Sequence, residues 1–458
     1  MIRFLNVYLP TRLVALLLGE TIMVLACFLL SSQLLLGPDM SLVLFYEDGW
    51  LKLAGLTLII VLLSYYFDLY EPQTVSVPFQ IFFRMLLVLG FSCFVLAAAL
   101  FFWPELAIQP NLYALGFLML TPALMLWRRT YVWMVNLPGF RERVYVLGDG
   151  EQARSVVELL RSRRDVGMEV VDWKTVGSDD PETRRSVWGA EINRLLAEKR
   201  PLHRVIVALE NARNQMPVNE LLQARLHGVL VERVGDVKER LVGKIQLDGL
   251  QPSNMFFGEG FRVKKTTQLT RVVVSGLVAG CILLLFLPFF PLVVLLVRLS
   301  SPGPIFFRQT RVGMAGKPFH VYKFRSMRTD AEAAGAKWAV KNDPRVTRVG
   351  VFLRKTRIDE IPQLWNVLRG DMGLVGPRPE RPEFVPYLAE NLPFYNLRHL
   401  IRPGLTGWAQ VRYGYGSSLE QAREKLEYDL YYIKHMTLGL DLLVMFETVK
   451  TVVRRRGQ

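Results

Sequence analysis

Five long apolar runs dominate this chain, and the last of them is broken by proline. Val272–Leu299 covers about 28 residues, which as one straight helix would reach about 42 Å, beyond the roughly 30 Å of a bilayer core. Pro288 and Pro291 interrupt it. An internal proline removes a helix hydrogen bond and clashes with the preceding turn, so a kink is expected. The two halves, about 16 and 11 residues, are each too short to span alone. Basic residues flank both sides: Arg262, Lys264, Lys265 and Arg271 before, Arg298, Arg308 and Arg311 after. Positive-inside bias then puts both ends in the cytoplasm. A re-entrant helix over residues 272–299, broken at Pro288, satisfies both facts. A kinked full span is the competing reading.

The other four runs precede residue 140, at Leu13–Leu36, Leu51–Phe67, Ile81–Trp103 and Leu112–Val135. The second is short for a span. Arg3 and Arg12 precede the first, Arg84 opens the third, and Arg128, Arg129, Arg141 and Arg143 accompany or follow the fourth. The loops Gly37–Trp50 and Pro104–Asn111 carry Asp39, Glu47, Asp48 and Glu105 and no cation between the runs. Both ends of this four-helix unit are therefore expected in the cytoplasm. The formal charge of +15 suits anionic lipid, nucleotide or phosphate partners. The cations are dispersed between hydrophobic runs, which argues against nucleic acid. Cys27, Cys93 and Cys281 lie inside apolar runs and read as small hydrophobes, with no metal or disulfide pattern.

From about Arg143 to Gly258 strand and helix patterns alternate. Strands are predicted at Val144–Leu147, Met168–Trp173, Arg204–Leu209 and Val229–Val234, with helices near Gln152–Arg161, Ser186–Glu198 and Pro217–Leu226. That order predicts a parallel α/β sheet of Rossmann type. Its Gly148-x-Gly150 fingerprint is degraded, because Ala153 stands at the third glycine; Asp172 has the spacing of a ribose-binding acid.

The most specific stretch begins at Leu353-Arg354-Lys355-Thr356-Arg357-Ile358-Asp359-Glu360-Ile361-Pro362-Gln363-Leu364-Trp365-Asn366 and closes at Gly376-Pro377-Arg378-Pro379-Glu380. A carboxylate pair sits between groups of Arg and Lys. Carboxylates beside cations can hold a divalent metal, or one can be a nucleophile. Guanidinium forks suit phosphate oxygens. Pro362 favours a short helix over Gln363–Leu368 with Gly370 as its C-terminal cap, which puts Asp359 and Glu360 at the helix start. Flanking motifs are Ser301-Pro302-Gly303-Pro304-Ile305-Phe306-Phe307-Arg308-Gln309, Tyr322-Lys323-Phe324-Arg325-Ser326-Met327-Arg328, and Arg402-Pro403-Gly404-Leu405-Thr406-Gly407-Trp408-Ala409-Gln410-Val411.

In these four ordered motifs the chain from about Lys264 onward resembles the bacterial polyprenyl-phosphate sugar-1-phosphate transferases. The resemblance implies a membrane protein of α plus α/β class: a four-helix transmembrane unit (1–140), a Rossmann-like cytoplasmic domain (141–260), and a mainly α catalytic domain (261–458). It implies transfer of hexose-1-phosphate, glucose or galactose with glucose favoured, from a UDP-sugar to undecaprenyl phosphate with release of UMP, at the cytoplasmic face of the bacterial inner membrane. Membrane lipid would be a partner, and a homodimer is compatible with it. The nucleophile would be Asp359, with Glu360 in a metal or acid–base role, and Mg2+ the expected ion. Arg325, Arg354, Lys355 and Arg378 would bind substrate phosphate. Gln363, Asn366, Pro377, Pro379, Thr406 and Gln410 would lie in the nucleotide-sugar region. The family's membrane helix breaks at the equivalent of Pro288, most often after Ser; Leu287 stands here and loses one hydroxyl bond to a freed carbonyl.

Two other classes fit the sequence less well. A non-enzymatic assembly subunit would have lost the carboxylates, yet both are present. A nucleotide-sugar dehydratase would need Tyr-x-x-x-Lys, but residues 143–258 contain only Tyr145.

Overall fold

The structure is a computed structural model. It describes the chain except residues 1, 5–6, 10, 71–77, 107–108, 174–175, 177–179, 210–214, 249, 251, 258–259, 262–264, 330, 332–342, 415–417 and 454–458. The flanking cations Arg262 and Lys264 thus lie outside the described residues. The chain forms two compact units that divide at Val234–Gly235.

The first unit starts with helices α1 (Thr11–Leu36), α2 (Gly49–Tyr66), α3 (Pro78–Phe102) and α4 (Pro110–Asn136). They close on a core that includes Val24, Phe28, Leu53, Ile60, Val88, Leu112 and Leu120. Phe28 fits against Gly116, where a Cβ would lie 2.3 Å from its ring. Large apolar side chains such as Leu18, Ile22, Leu58, Phe94 and Phe101 face outward, as lipid-facing helices require. By length and composition, four helical stretches could cross a membrane: Thr11–Tyr46, Gly49–Tyr66, Phe79–Phe102 and Lys265–Ser300. The fourth predicted span is helical as α4, but its apolar run ends at Arg128-Arg129. Arg128, counted above among the flanking cations, is buried. It pairs with Glu20 at 2.6 Å and donates to Leu69 O, while Tyr70 OH donates to the other Glu20 oxygen at 2.6 Å. A buried charge survives only when paired and hydrogen-bonded, so this cluster locks α1 to α4.

The same unit carries a four-stranded parallel sheet of β1 (Glu142–Leu147), β2 (Met168–Asp172), β3 (Arg204–Val207) and β4 (Leu230–Arg233), in the order β2-β1-β3-β4. Helices α5 (Glu151–Ser162), α6 (Pro181–Ala197) and α7 (Val218–Leu226) connect them. Each predicted strand and helix is present. At the degraded fingerprint, Trp173 Nε1 donates to Gly148 O at 2.9 Å, and Asp172 lies 3.3 Å from Arg194.

From Gly235 onward the described residues belong to the second unit. Ile245 and Leu247 lie in its core, and Trp408 Nε1 donates to Gly243 O at 2.7 Å. The broken apolar run is α8 (Lys265–Phe286), a tight turn at Leu287–Phe289 containing Pro288, and α9 (Phe290–Ser300). Both limbs pack on the same domain. Ala279 of α8 sits in the cluster of Leu364, Met372 and Leu374. Val293 and Val297 of α9 sit with Phe324 and Leu353.

The domain itself contains an antiparallel hairpin that the sequence reading did not place, β5 (Phe306–Val312) with β6 (Pro318–Phe324), in register Phe306↔Phe324. Two short parallel strands follow, β7 (Gly373–Val375) and β8 (Gly404–Thr406). Its helices include α10 (Arg348–Lys355), α11 (Gln363–Arg369), α12 (Leu419–Lys434) and α13 (Leu438–Val453). The predicted Gly370 cap is present, with φ +81°.

Two glycines make opposite tests of this packing. Gly370 has open space around a Cβ, so Gly370→Ala suffers only its left-handed backbone and should cost about 1 kcal/mol. A Cβ on Gly350 would lie 1.9 Å from Ser326 O, so α10 must move off that strand end and Gly350→Ala should cost about 3 kcal/mol. Thermal unfolding in detergent checks the order. A smaller loss for Gly350→Ala would contradict the packing of α10.

Candidate active site

Asp359 and Glu360 lie in a tight turn, Ile358–Glu360, just before α11. Arg357 enters the turn with φ +58°, a left-handed conformation that costs a side-chain-bearing residue about 1 kcal/mol or more. Both carboxylates are buried. Their surroundings differ sharply. Glu360 receives three cations from three segments: Lys323 of β6 at 2.9 Å, Arg378 at 2.8 Å and Arg357 at 3.3 Å. Asp359 Oδ1 is buried without a hydrogen-bond partner in the described structure.

The electrostatics follow from that asymmetry. Burial disfavours the Glu360 charge, but Lys323, Arg378 and Arg357 outweigh it and hold this carboxyl well below its ordinary range. Burial, then the adjacent Glu360 charge, pushes Asp359 up to about 6, against the pull of Lys323, Arg354 and Arg357. Two neighbouring carboxyls thus take different states, one a fixed anion and one poised near neutrality.

Arg378 is presented by a loop pinned at four successive carbonyls. Gly404 N donates to Pro377 O at 3.0 Å, Arg398 to Arg378 O at 2.9 Å, Arg311 to Pro379 O at 2.9 Å, and Val312 N to Glu380 O at 2.9 Å. Arg398 is itself fixed by Asp429 at 2.9 Å and Tyr395 OH at 2.8 Å. Pro377 and Pro379 therefore serve the site through a rigid backbone.

The remaining expected site residues separate into distinct placements. Arg354 donates to Ser326 Oγ at 2.9 Å and its charge reaches Asp359. Lys355 is exposed at the end of α10. Arg325 is buried and donates to Ser301 O at 2.6 Å, Pro302 O at 3.0 Å and Val297 O at 3.4 Å, so it caps the C-terminus of α9. Asn366 is fully buried; it donates to His320 O at 2.7 Å and accepts from Tyr322 N at 3.3 Å, fastening α11 to β6. Thr406 pairs with Thr448 at 2.7 Å. Gln363 Nε2 and Gln410 Oε1 are buried without partners in the described structure. Pro288 lies in the turn between α8 and α9.

Sequence reasoning did not single out Arg357, Arg398 or Arg311 as site residues. The strained backbone of Arg357 has no sequence signature. Arg398 acts through a carbonyl 20 positions away.

Among the described residues no group of three or more metal-ligating side chains occurs. Mg2+ commonly binds through one or two carboxylates and the oxygens of a substrate phosphate. The unpartnered Asp359 Oδ1 fits that donor set; Glu360 would first have to release a cation.

Residues 266–455 match the family described as bacterial sugar transferase. A UDP-N-acetylgalactosamine-undecaprenyl-phosphate N-acetylgalactosaminephosphotransferase of Aeromonas hydrophila is 40% identical over 237 residues, 52% of this chain and 55% of that one. The chain thus spans about half the length of that relative. A UDP-glucose:undecaprenyl-phosphate glucose-1-phosphate transferase of Escherichia coli (strain K12) is 33% identical over 324 residues, 69% of each chain. The exopolysaccharide production protein PSS of Rhizobium leguminosarum bv. phaseoli is 46% identical over 180 residues, 90% of its length and 38% of this chain.

The Asp359 environment sets two expectations. Its folded carboxyl sits above the ordinary 3.8, so the fold favours the protonated form; that stability is present in acid and lost as pH rises through about 6. Asp359→Asn should therefore raise stability by about 3 kcal/mol at about pH 8 and by little at about pH 4. Thermal unfolding in magnesium-free detergent checks this; equal midpoints at about pH 8 would contradict it. Arg398→Lys keeps a charge against Asp429 but lacks the planar fork that also reaches the Arg378 carbonyl. Turnover should fall about tenfold with the fold retained, and restoring full activity with lysine would contradict the pinning role.

Proposed function

The chain belongs to the bacterial sugar transferase family, and from that premise we propose that it moves a sugar-1-phosphate from a UDP-sugar to undecaprenyl phosphate, releasing UMP. The observation that carries this reading is the split carboxylate pair, with Glu360 held by three cations and Asp359 Oδ1 left without a partner. It suits displacement at phosphorus in two steps.

In the first step an ionised Asp359 oxygen attacks the sugar-bearing phosphorus of the donor. A phosphorus–oxygen bond forms, and the bridge to the nucleotide breaks. UMP leaves with that electron pair on its phosphate oxygen. In the second step a phosphate oxygen of the lipid acceptor attacks the same phosphorus. The acyl phosphate breaks, the lipid-linked diphosphate sugar forms, and the Asp359 carboxylate returns. Glu360 keeps Lys323, Arg357 and Arg378 gathered where the diphosphate charge must be balanced. Bound Mg2+, held through Asp359 and substrate oxygens, would supply further neutralisation of the diphosphate.

The membrane reading belongs to the same proposal. Arg271 of α8 bonds Asp441 and donates to Val375 O at 3.2 Å, and α9 ends under the Arg325 clamp. One domain thus grips both ends of the broken apolar segment, which supports a re-entrant hairpin turning at Pro288 with the catalytic unit on the cytoplasmic face. The parallel sheet of the first unit is read as a Rossmann-like domain with an assembly role. For the sugar we propose glucose, supported by the Escherichia coli relative aligned over 69% of both chains.

Membranes carrying the protein, given a labelled UDP-sugar, should yield a lipid-linked diphosphate sugar and UMP. Release of UDP would mean a monophosphate linkage and sink the reaction class. In a panel of UDP-sugars, glucose should turn over fastest; preference for N-acetylgalactosamine would overturn the sugar and leave the chemistry standing.

A further inference from the structure

Four aromatic rings meet where the broken apolar segment touches the catalytic unit. Phe286 ends α8, Phe290 opens α9, and Phe306 and Phe324 are the paired ends of the β5–β6 hairpin. Phe324 is the buried centre of the group. Its ring centroid lies 5.5 Å from that of Phe306 in a stacked arrangement, 5.8 Å from Phe290 and 6.3 Å from Phe286. Phe290 and Phe306 are themselves 6.3 Å apart. Both remain open, at 36% and 43% exposure, and Leu287 and Phe289 of the Pro288 turn are exposed as well. The segment that carries the break, Lys265–Ser300, is among those long and apolar enough to cross a membrane.

This apolar surface backs onto the carboxylate pair. Ile358 and Ile361, which flank Asp359 and Glu360, pack against the same cluster as Phe324, Phe286 and Val293. The short turn therefore has two sides, with Glu360 toward Lys323, Arg357 and Arg378 and the isoleucines toward the rings. Strand β6 repeats that division, because successive strand residues point to opposite faces. Lys323 reaches Glu360 at 2.9 Å, and Phe324 turns to α9. A polyprenyl phosphate acceptor needs this juxtaposition. Its phosphate must reach Asp359, and its chain begins one phosphoester bond later. Each isoprene unit carries a flat trisubstituted double bond that matches a ring face, whereas a saturated acyl chain has no such face. Leucine and valine, which dominate the rest of the segment, offer no flat face either.

We propose that Phe290 and Phe306, braced by Phe324, seat the first isoprene units of the polyprenyl phosphate acceptor at the edge of the active site. The inference deepens the proposed transfer to a lipid phosphate and rests on it. The break at Pro288 then does more than turn the chain. It opens into the ring that forms one wall of the acceptor site, and the hairpin forms the other.

The test uses the full chain in detergent micelles, the UDP-sugar it turns over fastest, and two acceptors: undecaprenyl phosphate and the same lipid with its first isoprene unit saturated. The wild type should show the lower KM for the unsaturated acceptor. Phe290→Leu and Phe306→Leu keep an apolar side chain at partly open positions, so their thermal midpoints should hold. Each should raise KM for undecaprenyl phosphate about tenfold, leave KM for the UDP-sugar where it was, and reduce the preference between the two acceptors. Wild-type KM and wild-type preference in both variants would overturn the proposal. So would a wild type indifferent to saturation, or equal KM losses for lipid and UDP-sugar, which mark a general loosening of the site. Absence of transfer to either lipid by the wild type would sink the reaction itself, and this inference with it.

Discussion

The catalytic unit depends on one buried anion. Glu360 draws together Lys323 from the hairpin, Arg357 from its own turn and Arg378 from the Pro-Arg-Pro loop. Removing such an anion would leave three cations facing one another at short range, a cost of several kcal/mol in a buried setting. Because Glu360 is so strongly neutralised, it is a poor nucleophile. Its neighbour Asp359 bears the remaining burial cost, and in the proposed reaction it is the nucleophile.

The rest of the domain supports that cluster. Leu353 and Phe324 place the ends of α10 and β6 on α9, so the broken apolar segment is part of the site's foundation. Arg325 fixes the last turn of α9, and Asn366 fixes α11 to β6. Arg398 and Arg311 hold the loop that presents Arg378. Loosening any of these would shift a cation by a fraction of an ångström, and phosphoryl transfer is sensitive to displacements of that size.

Much of this was legible in the sequence. Hydrophobic runs gave the helices of the first unit, and alternating patterns gave every strand of its parallel sheet. Pro362 and Gly370 bracketed α11 because proline and glycine carry fixed backbone preferences. The hairpin Phe306–Phe324 was missed because both strands mix charged and aromatic residues on half-exposed faces, without a clear period. Sequence could not rank the cations either. Arg325 and Arg378 look alike in a motif, yet one clamps carbonyls and the other meets Glu360. The pairing of Glu20 with Arg128 joins residues more than a hundred positions apart, which no local pattern encodes.

The central claim is that Asp359, and not Glu360, carries the transferred group. Incubating the protein with a UDP-sugar labelled in its sugar-bearing phosphate, without lipid acceptor, then quenching in acid and fragmenting the peptides, tests it directly. The account predicts a phosphosugar adduct on Asp359 that hydroxylamine removes and that Asp359→Asn abolishes. An adduct on Glu360, or its persistence in Asp359→Asn, would contradict it.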